Sequence, residues 1–169
     1  RMFCFLGSIL SIFATQKATL AYILNIETAT KNCSVSVALK GQLLSLVELN
    51  DGNHSHAENL HRFIQQALKE SKISKNDLSA VAVSMGPGSY TGLRIGVSAA
   101  KGLCFALDIP LISIPTLENL ARSIAVTEGY ILPLLDARRM EVYSSVYNAD
   151  YKLVTDVSAT IIDSDSFAD

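Results

Sequence analysis

Charge is what this sequence has least of. Only 18 % of its 169 residues are Asp, Glu, Lys or Arg, and 14 basic side chains stand against 16 acidic ones for a formal net charge of −2. A disordered chain would be polar and strongly charged. A nucleic-acid binder working through a broad basic surface would carry an excess of Lys and Arg. The composition argues against both. Cysteine is also scarce: Cys4, Cys33 and Cys104 lie far apart with no CxxC pair. That count fits free buried thiols in a reducing compartment better than a disulfide framework. No apolar run is long enough to span a bilayer comfortably. The nearest candidate, Met2 to Ala14, lies in a leading segment, Arg1 to Ala21, that has the apolar centre of a secretory leader but a thin basic start and a poor cleavage site. It reads as a leader or a non-native extension (residues 1–21) and is set aside from the fold.

Hydrophobicity is what the chain has in abundance, at 49 % of residues. The length suits one domain or two small lobes with a real core. Tyr22–Ile26 reads as a buried strand, Cys33–Leu39 as a half-buried one by its period of two, and Gln42–Leu49 as a return strand after the Lys40-Gly41 turn. A helix is expected over His56–Ser71, with Ser55 as N-cap, Glu58 as its capping-box partner, and Ala57, Leu60, Ile64, Ala67 and Leu68 on its apolar side. Ser74 and Asp77 repeat that start for a short turn. Ala80–Ser84 is a continuous apolar strand, followed by a Gly/Pro loop and a helix to Leu107. Pro110–Ile114 is the next strand, and Thr116 caps a helix expected to run to Val126. The order βββαβαβα makes an α/β fold whose mixed sheet is antiparallel first and parallel later.

A second block, residues 129–169, follows the lobe at 22–128. It has strands expected at Ile131–Leu135, Glu141–Tyr147 and Lys152–Val157. Ile26-Glu27 lines up with Leu135-Asp136, each followed by a loop, an alternating strand, a turn and a returning strand. This reads as a degenerate internal duplication, with a second lobe lacking the helices that would cover its strands.

The block Gly86-Pro87-Gly88-Ser89-Tyr90-Thr91-Gly92-Leu93-Arg94-Ile95-Gly96 follows a buried strand and opens a helix, a setting for anion binding. It fails both the P-loop and the dinucleotide spacings. The structural reading is that Gly86 and Gly88 supply a turn, Pro87 between them, while Gly92 and Gly96 supply close packing. The helix after it is apolar on two sides: Leu93, Val97, Ala100, Cys104 and Leu107 on one, Ile95, Ala99, Gly102 and Ala106 on the other. Arg94, Ser98 and Lys101 form a narrow polar strip between them. One side packs on the sheet; the other is covered either by the first helix or by a helix of a partner chain. His54, His56 and His61 are close in sequence, but no two share the spacing of three or four that two ligands on one helical face need, and no metal site is expected. Glu27 and Asp136 end strands as cleft carboxylates would, with Arg138 and Arg139 beside the second as anion-holding candidates. No Ser/His/Asp or Cys/His set supports nucleophilic catalysis.

Three segments together, Ile23-Leu24-Asn25-Ile26-Glu27-Thr28, the Gly86–Gly96 block and Leu135-Asp136-Ala137-Arg138-Arg139-Met140-Glu141-Val142-Tyr143, resemble the TsaB (YeaZ) family. The resemblance implies two actin-like, ribonuclease-H-type lobes and a non-catalytic, cofactor-free role in the cytoplasm. It implies binding to a TsaD-like catalytic subunit and a TsaE-like ATPase for threonylcarbamoyl transfer to adenosine 37 of transfer RNA, with the RNA met only through the complex and no membrane involved. The catalytic relative's His-x-x-x-His motif is absent here. The implied partner face uses both first-lobe helices: Leu60, His61 and Ile64 from one, Arg94, Ile95, Ser98, Ala99, Gly102 and Ala106 from the other. Homodimers through similar surfaces are implied as well. The alternative is an actin-like ATP-dependent transferase or M22 metallopeptidase-like enzyme using Glu27 and Asp136.

Overall fold

A computed structural model describes residues 21–49 and 56–167. Most of the leading segment with Cys4, and the loop carrying Ser55 and His54, lie outside the described residues, so the capping box at Ser55 does too.

Strand β1 (Tyr22–Glu27) pairs antiparallel with β2 (Cys33–Leu39), and β2 with β3 (Gln42–Leu49). Lys40 (φ 48°) and Gly41 (φ 83°) turn the second hairpin with two left-handed residues, the twist a tight hairpin favours. Helix α1 (His56–Glu70) and a 3₁₀ turn at Lys75–Asp77, capped by Ser74, lead to β4 (Leu78–Gly86). β4 lies parallel to β1. Helix α2 (Tyr90–Leu107) crosses to β5 (Leu111–Pro115), parallel to β4. The sheet order β3-β2-β1-β4-β5, antiparallel then parallel, is the ribonuclease-H-like arrangement within the α/β class.

The core follows from strand alternation. Leu24 and Ile26 on β1, Val35 and Val37 on β2, and Val81 and Val83 on β4 meet Leu60, Ile64 and Ala67 of α1 and Ala100 and Cys104 of α2. Ile23, Ala80, Ala82 and Ile114 form a smaller cluster of their own. β2 differs from expectation: it is buried on both faces, because Ser34 and Ser36 are also enclosed and the Ser36 hydroxyl accepts a hydrogen bond from Asn25 Nδ2 at 3.0 Å. A short polar side chain that finds a partner can be buried at little cost, which period-two patterning does not reveal.

Helix α3 (Thr116–Ala121) stops well short of Val126. The Arg122 amide bonds back to Glu118, and the Ser123 hydroxyl takes the Leu120 carbonyl at 2.6 Å, closing the end just before the β-branched Ile124. The strand expected at Ile131–Leu135 is two pieces, β6 (Tyr130–Ile131) and β7 (Leu134–Arg138), which pair with the same strand β8 (Glu141–Asn148) in one register as far as Asp136, where it shifts. Pro133, lacking an N–H, interrupts the ladder between them. β9 (Leu153–Ile161) pairs antiparallel with β8. Leu117 and Ala121 of α3 pack with Ile131 and Tyr147 of this second sheet.

The glycines of the Gly86–Gly96 block have packing reasons. Gly86 holds φ 112°, a conformation that L side chains rarely adopt. A Cβ on Gly88 would strike the Ala29 carbonyl, one on Gly92 the Thr28 carbonyl, and one on Gly96 the Thr28 hydroxyl. Helix α2 therefore rests directly on the corner that joins β1 to β2. Gly102, by contrast, has open space around its missing Cβ. Gly92→Ala is expected to destabilise by about 2 kcal/mol or more, since a backbone carbonyl must move. Gly102→Ala is expected to stabilise by about 0.5–1 kcal/mol through helix propensity alone. Urea unfolding of both variants checks the pair, and equal effects would contradict the packing account.

Candidate functional site: a buried carboxylate, a cleft and an open helix face

The end of β1 carries Glu27, only 6 % exposed. Its Oε1 accepts the Ala29 amide at 2.7 Å and its Oε2 accepts the Ser84 hydroxyl from β4. The Thr28 amide and the Asn119 side chain of α3 bond to it too. Burial pushes the Glu27 carboxyl above its ordinary 4.5, and these hydrogen bonds pull against that rise without cancelling it. Its charge reaches Cys33: burial first, and Glu27 second, push that thiol up to about 11, far from a reactive thiolate. Glu27 was expected to face a cleft. It lies instead beneath the surface, its oxygens engaged by the chain itself.

The cleft, of about 670 Å³, is walled by the loop after β1, the start of α2 and β7. Lys31, Ser89 and Thr91 contribute from the first sheet's side, Asp136, Arg138 and Tyr143 from the second's. Of the four cleft candidates, Asp136 and Arg138 line it; Glu27 and Arg139 do not. Asp136 repeats the Glu27 turn in exposed form: its Oδ1 accepts the Arg138 amide at 2.7 Å, two residues on, as Glu27 accepts Ala29. After it, Arg138, Arg139 and Met140 all hold left-handed φ, of 72°, 55° and 61°. Arg139 and Met140 are the two turn residues between β7 and β8, where Asn-Gly is the favoured pair.

Helix α2 turns Gly92, Gly96, Ala100 and Cys104 inward. The second apolar side expected from the sequence divides. Ile95 and Ala99 are half-buried against the core, whereas Gly102 and Ala106 are exposed. Beside them on the outer face stand Arg94, Ser98, Lys101 and Phe105, and Phe105 is 92 % exposed. A shallow groove of about 320 Å³ runs along Thr91, Arg94, Ile95 and Ser98. Tyr90, 75 % exposed, sits 5.6 Å from the Arg94 guanidinium, ring centroid to carbon, at the head of the helix. On α1, His61 is exposed, but Leu60 and Ile64 point into the core. Those two are corrected as surface residues: the same apolar periodicity that marked α1 as amphipathic spends them on the sheet. Sequence reasoning also passed over Phe105 and Tyr90. The signal was an aromatic side chain in the polar strip of α2, one turn from Lys101.

Among the described residues no group of three or more His, Cys, Asp or Glu side chains could hold a metal ion. His54 and the side chain of His56 lie outside the described residues. Among the described residues, too, no helix is long and apolar enough to cross a membrane.

Two predictions follow from this geometry. The folded state holds the Glu27 proton more tightly than the unfolded chain, so stability falls as pH rises from about 4.5 through the raised value and is flat above it. In Glu27→Gln, whose amide oxygen still accepts the Ala29 amide, this part of the slope should vanish in urea unfolding measured across pH; an unchanged slope would place the titration elsewhere. At the β7–β8 turn, the double change Arg139→Asn with Met140→Gly should raise stability by about 1 kcal/mol or more, since each left-handed residue with a full side chain costs roughly 1–2 kcal/mol. A fall in the unfolding midpoint would contradict the strain.

Comparison with known proteins agrees with this architecture. The sequence model of the family described as "TsaD: tRNA N6-adenosine threonylcarbamoyltransferase" matches residues 50–167. The chain is 36 % identical over 119 residues to the tRNA threonylcarbamoyladenosine biosynthesis protein TsaB of Bacillus subtilis, covering 70 % of this chain and 52 % of that one. It is 36 % identical over 130 residues to the TsaB of Escherichia coli, covering 76 % and 55 %. The chain thus spans about half the length of the curated relatives it matches. Among solved structures, YeaZ from Pseudomonas aeruginosa superposes with a TM-score of 0.70 at 26 % identity, over 85 % of this chain and 68 % of that one. With more than half of its length under the family model, the chain belongs to the family described as TsaD, and it is similar to proteins named TsaB.

Proposed function

We propose that this chain is a non-catalytic, partner-binding subunit in the formation of threonylcarbamoyladenosine on transfer RNA. In this reading it docks a TsaD-type catalytic subunit through the outer face of α2, works with a TsaE-type ATPase in the cytoplasm, and meets the RNA only through the complex. The observation that carries the reading is Phe105, an aromatic side chain almost wholly in water on a helix whose inner side is packed into the core. Burying a phenyl ring is worth about 1.5–3 kcal/mol, and exposed aromatic side chains flanked by small residues are what interfaces use as anchors. Gly102 and Ala106 flank Phe105 and leave room for a neighbouring backbone. Arg94 and Lys101 supply the charged rim. The absence of catalysis in this reading is supported by Glu27, whose carboxylate is bonded inward rather than offered to the cleft. Ile95 and Ala99 belong to the margin of the face, as half-buried residues. His61 belongs to the α1 side of it. Self-association through the same surface competes with the partner in this reading.

The substitution that tests the face is Gly102→Arg, because Gly102 has open space and an arginine there leaves the core untouched. Ala99→Arg would disturb the packing beneath it. Association with the TsaD-type subunit is expected to weaken at least tenfold in Gly102→Arg and in Phe105→Ala, with the unfolding midpoint within a few degrees of the parent. Modified adenosine formed by the reconstituted complex should drop in parallel. Undiminished binding by both variants would move the interface off α2. Modification at the full rate with this chain left out would sink the subunit reading itself.

A further inference from the structure

The corner formed by Thr28 and Ala29 does two jobs at once. It receives α2: the Ala29 carbonyl accepts the amide of Ser89, the N-cap residue of α2, at 2.7 Å, and Gly88, Gly92 and Gly96 lie so close that a methyl group on any of them would strike Thr28 or Ala29. It is also tied down from below, by the Glu27 carboxylate gripping the Ala29 amide on one oxygen and the Ser84 hydroxyl of β4 on the other. The path from β4 to the head of α2 is therefore Ser84, Glu27, Ala29, Ser89, a run of hydrogen bonds with no side-chain slack in its second half.

We infer that Glu27 is a positioning residue for the docking helix: it fixes the Thr28–Ala29 corner on the sheet, and through that corner it sets the seat of the first two turns of α2. The docking half of this statement rests on the function proposed above; the seating half does not. The carboxylate is suited to the task because both its oxygens accept, so it can hold the corner's amide and a hydroxyl of β4 at once. Fixing the corner matters because the helix's own cap at its head is weak. Its N-cap hydroxyl accepts the Gly92 amide at a long 3.3 Å, a weak internal cap. An exposed face that must present Phe105 and Gly102 in one orientation gains from a helix whose pitch is set from the core.

The test is amide hydrogen exchange on the full chain, comparing residues 89–96, the N-cap and first turns of α2, with the β2–β3 hairpin beyond Ser34, the β2 residue paired with Glu27. In Glu27→Ala, exchange in the first two turns of α2 is expected to speed up at least tenfold, while the hairpin stays within about threefold of the parent. Glu27→Gln should restore α2 to within about threefold, because its amide oxygen accepts from Ala29 and its amide nitrogen can donate to Ser84. Rescue of that kind would not be seen if Glu27 merely carried charge, and Glu27→Met, of similar volume but with no oxygen to accept the Ala29 amide, should fail to rescue, as it would not if Glu27 merely filled volume. Should Glu27→Ala fail to fold, Ser84→Ala takes its place: it removes the tie to β4 and keeps those to Thr28, Ala29 and Asn119, and a severalfold acceleration confined to α2 is expected. Exchange in α2 at the parent rate in the folded alanine variants, or acceleration spread equally over the hairpin, overturns the inference. Association with the TsaD-type subunit is measured on the same variants. Loosening of α2 with association unchanged leaves the seating role standing and removes the docking reading, so the two failures are distinguishable.

Discussion

The close contact between the first turns of α2 and the Thr28–Ala29 corner is the constraint around which the molecule is arranged. Three side chains are forbidden for it, at Gly88, Gly92 and Gly96, and a carboxylate is buried to hold its lower side. Glycine in a helix interior costs up to about 1 kcal/mol relative to alanine, and a desolvated carboxylate is costlier still unless hydrogen-bonded. Both costs are reduced locally, by backbone-to-backbone packing and by donors from the β1–β2 corner, β4 and α3. The contact accounts for features that otherwise look unrelated: a glycine-rich sequence that fits no phosphate template, an acidic residue hidden at a strand end, and a helix that is apolar on its inner side without large residues at its centre.

Much of this was legible in the sequence, for a definable reason. The succession of strands and helices along the chain came from alternation and continuous apolar runs, because burial on one or both faces writes itself into hydrophobic periodicity. The structural role of the glycine block came from its failure to match anion-binding spacings. What was not legible depends on partners distant in sequence. Ser34 and Ser36 read as solvent-facing because a hydroxyl gives no sign of whether Asn25 lies across from it. Leu60 and Ile64 are assigned to a partner face only by the family resemblance, whereas the apolar periodicity that holds them turns them onto the sheet. Glu27 read as a cleft acid because its position at a strand end is local, whereas its bond to Ser84 spans 57 residues.

The two sheets repeat one device with opposite outcomes. In each, an acidic residue, Glu27 at the end of β1 and Asp136 two residues before the end of β7, accepts through a side-chain oxygen the amide two positions on, and an antiparallel partner follows. In the first sheet the turn is roofed by α2 and the carboxylate is buried. In the second the turn is open, the carboxylate faces water at the cleft, and the chain continues into three consecutive left-handed residues. The roof makes the difference, since the local sequence pattern is shared. A helix resting on the corner excludes water, and exclusion of water converts a surface acid into an internal tie.

The same roof explains why an open face on α2 is tolerable. A lone exposed phenylalanine on a loosely held helix would invite collapse of the helix onto the core, since the ring gains by leaving water. Here the inward side of α2 is already filled at backbone distance by Thr28 and Ala29, and Gly92 and Gly96 leave no depth into which the helix could roll. Rotation that buried Phe105 would drive the outer residues Arg94 and Ser98 toward that same corner and expose Ala100 and Cys104. The tight inner contact and the exposed outer ring are thus two sides of one packing solution: the corner fixes the helix, and the fixed helix keeps its aromatic side chain available at the surface.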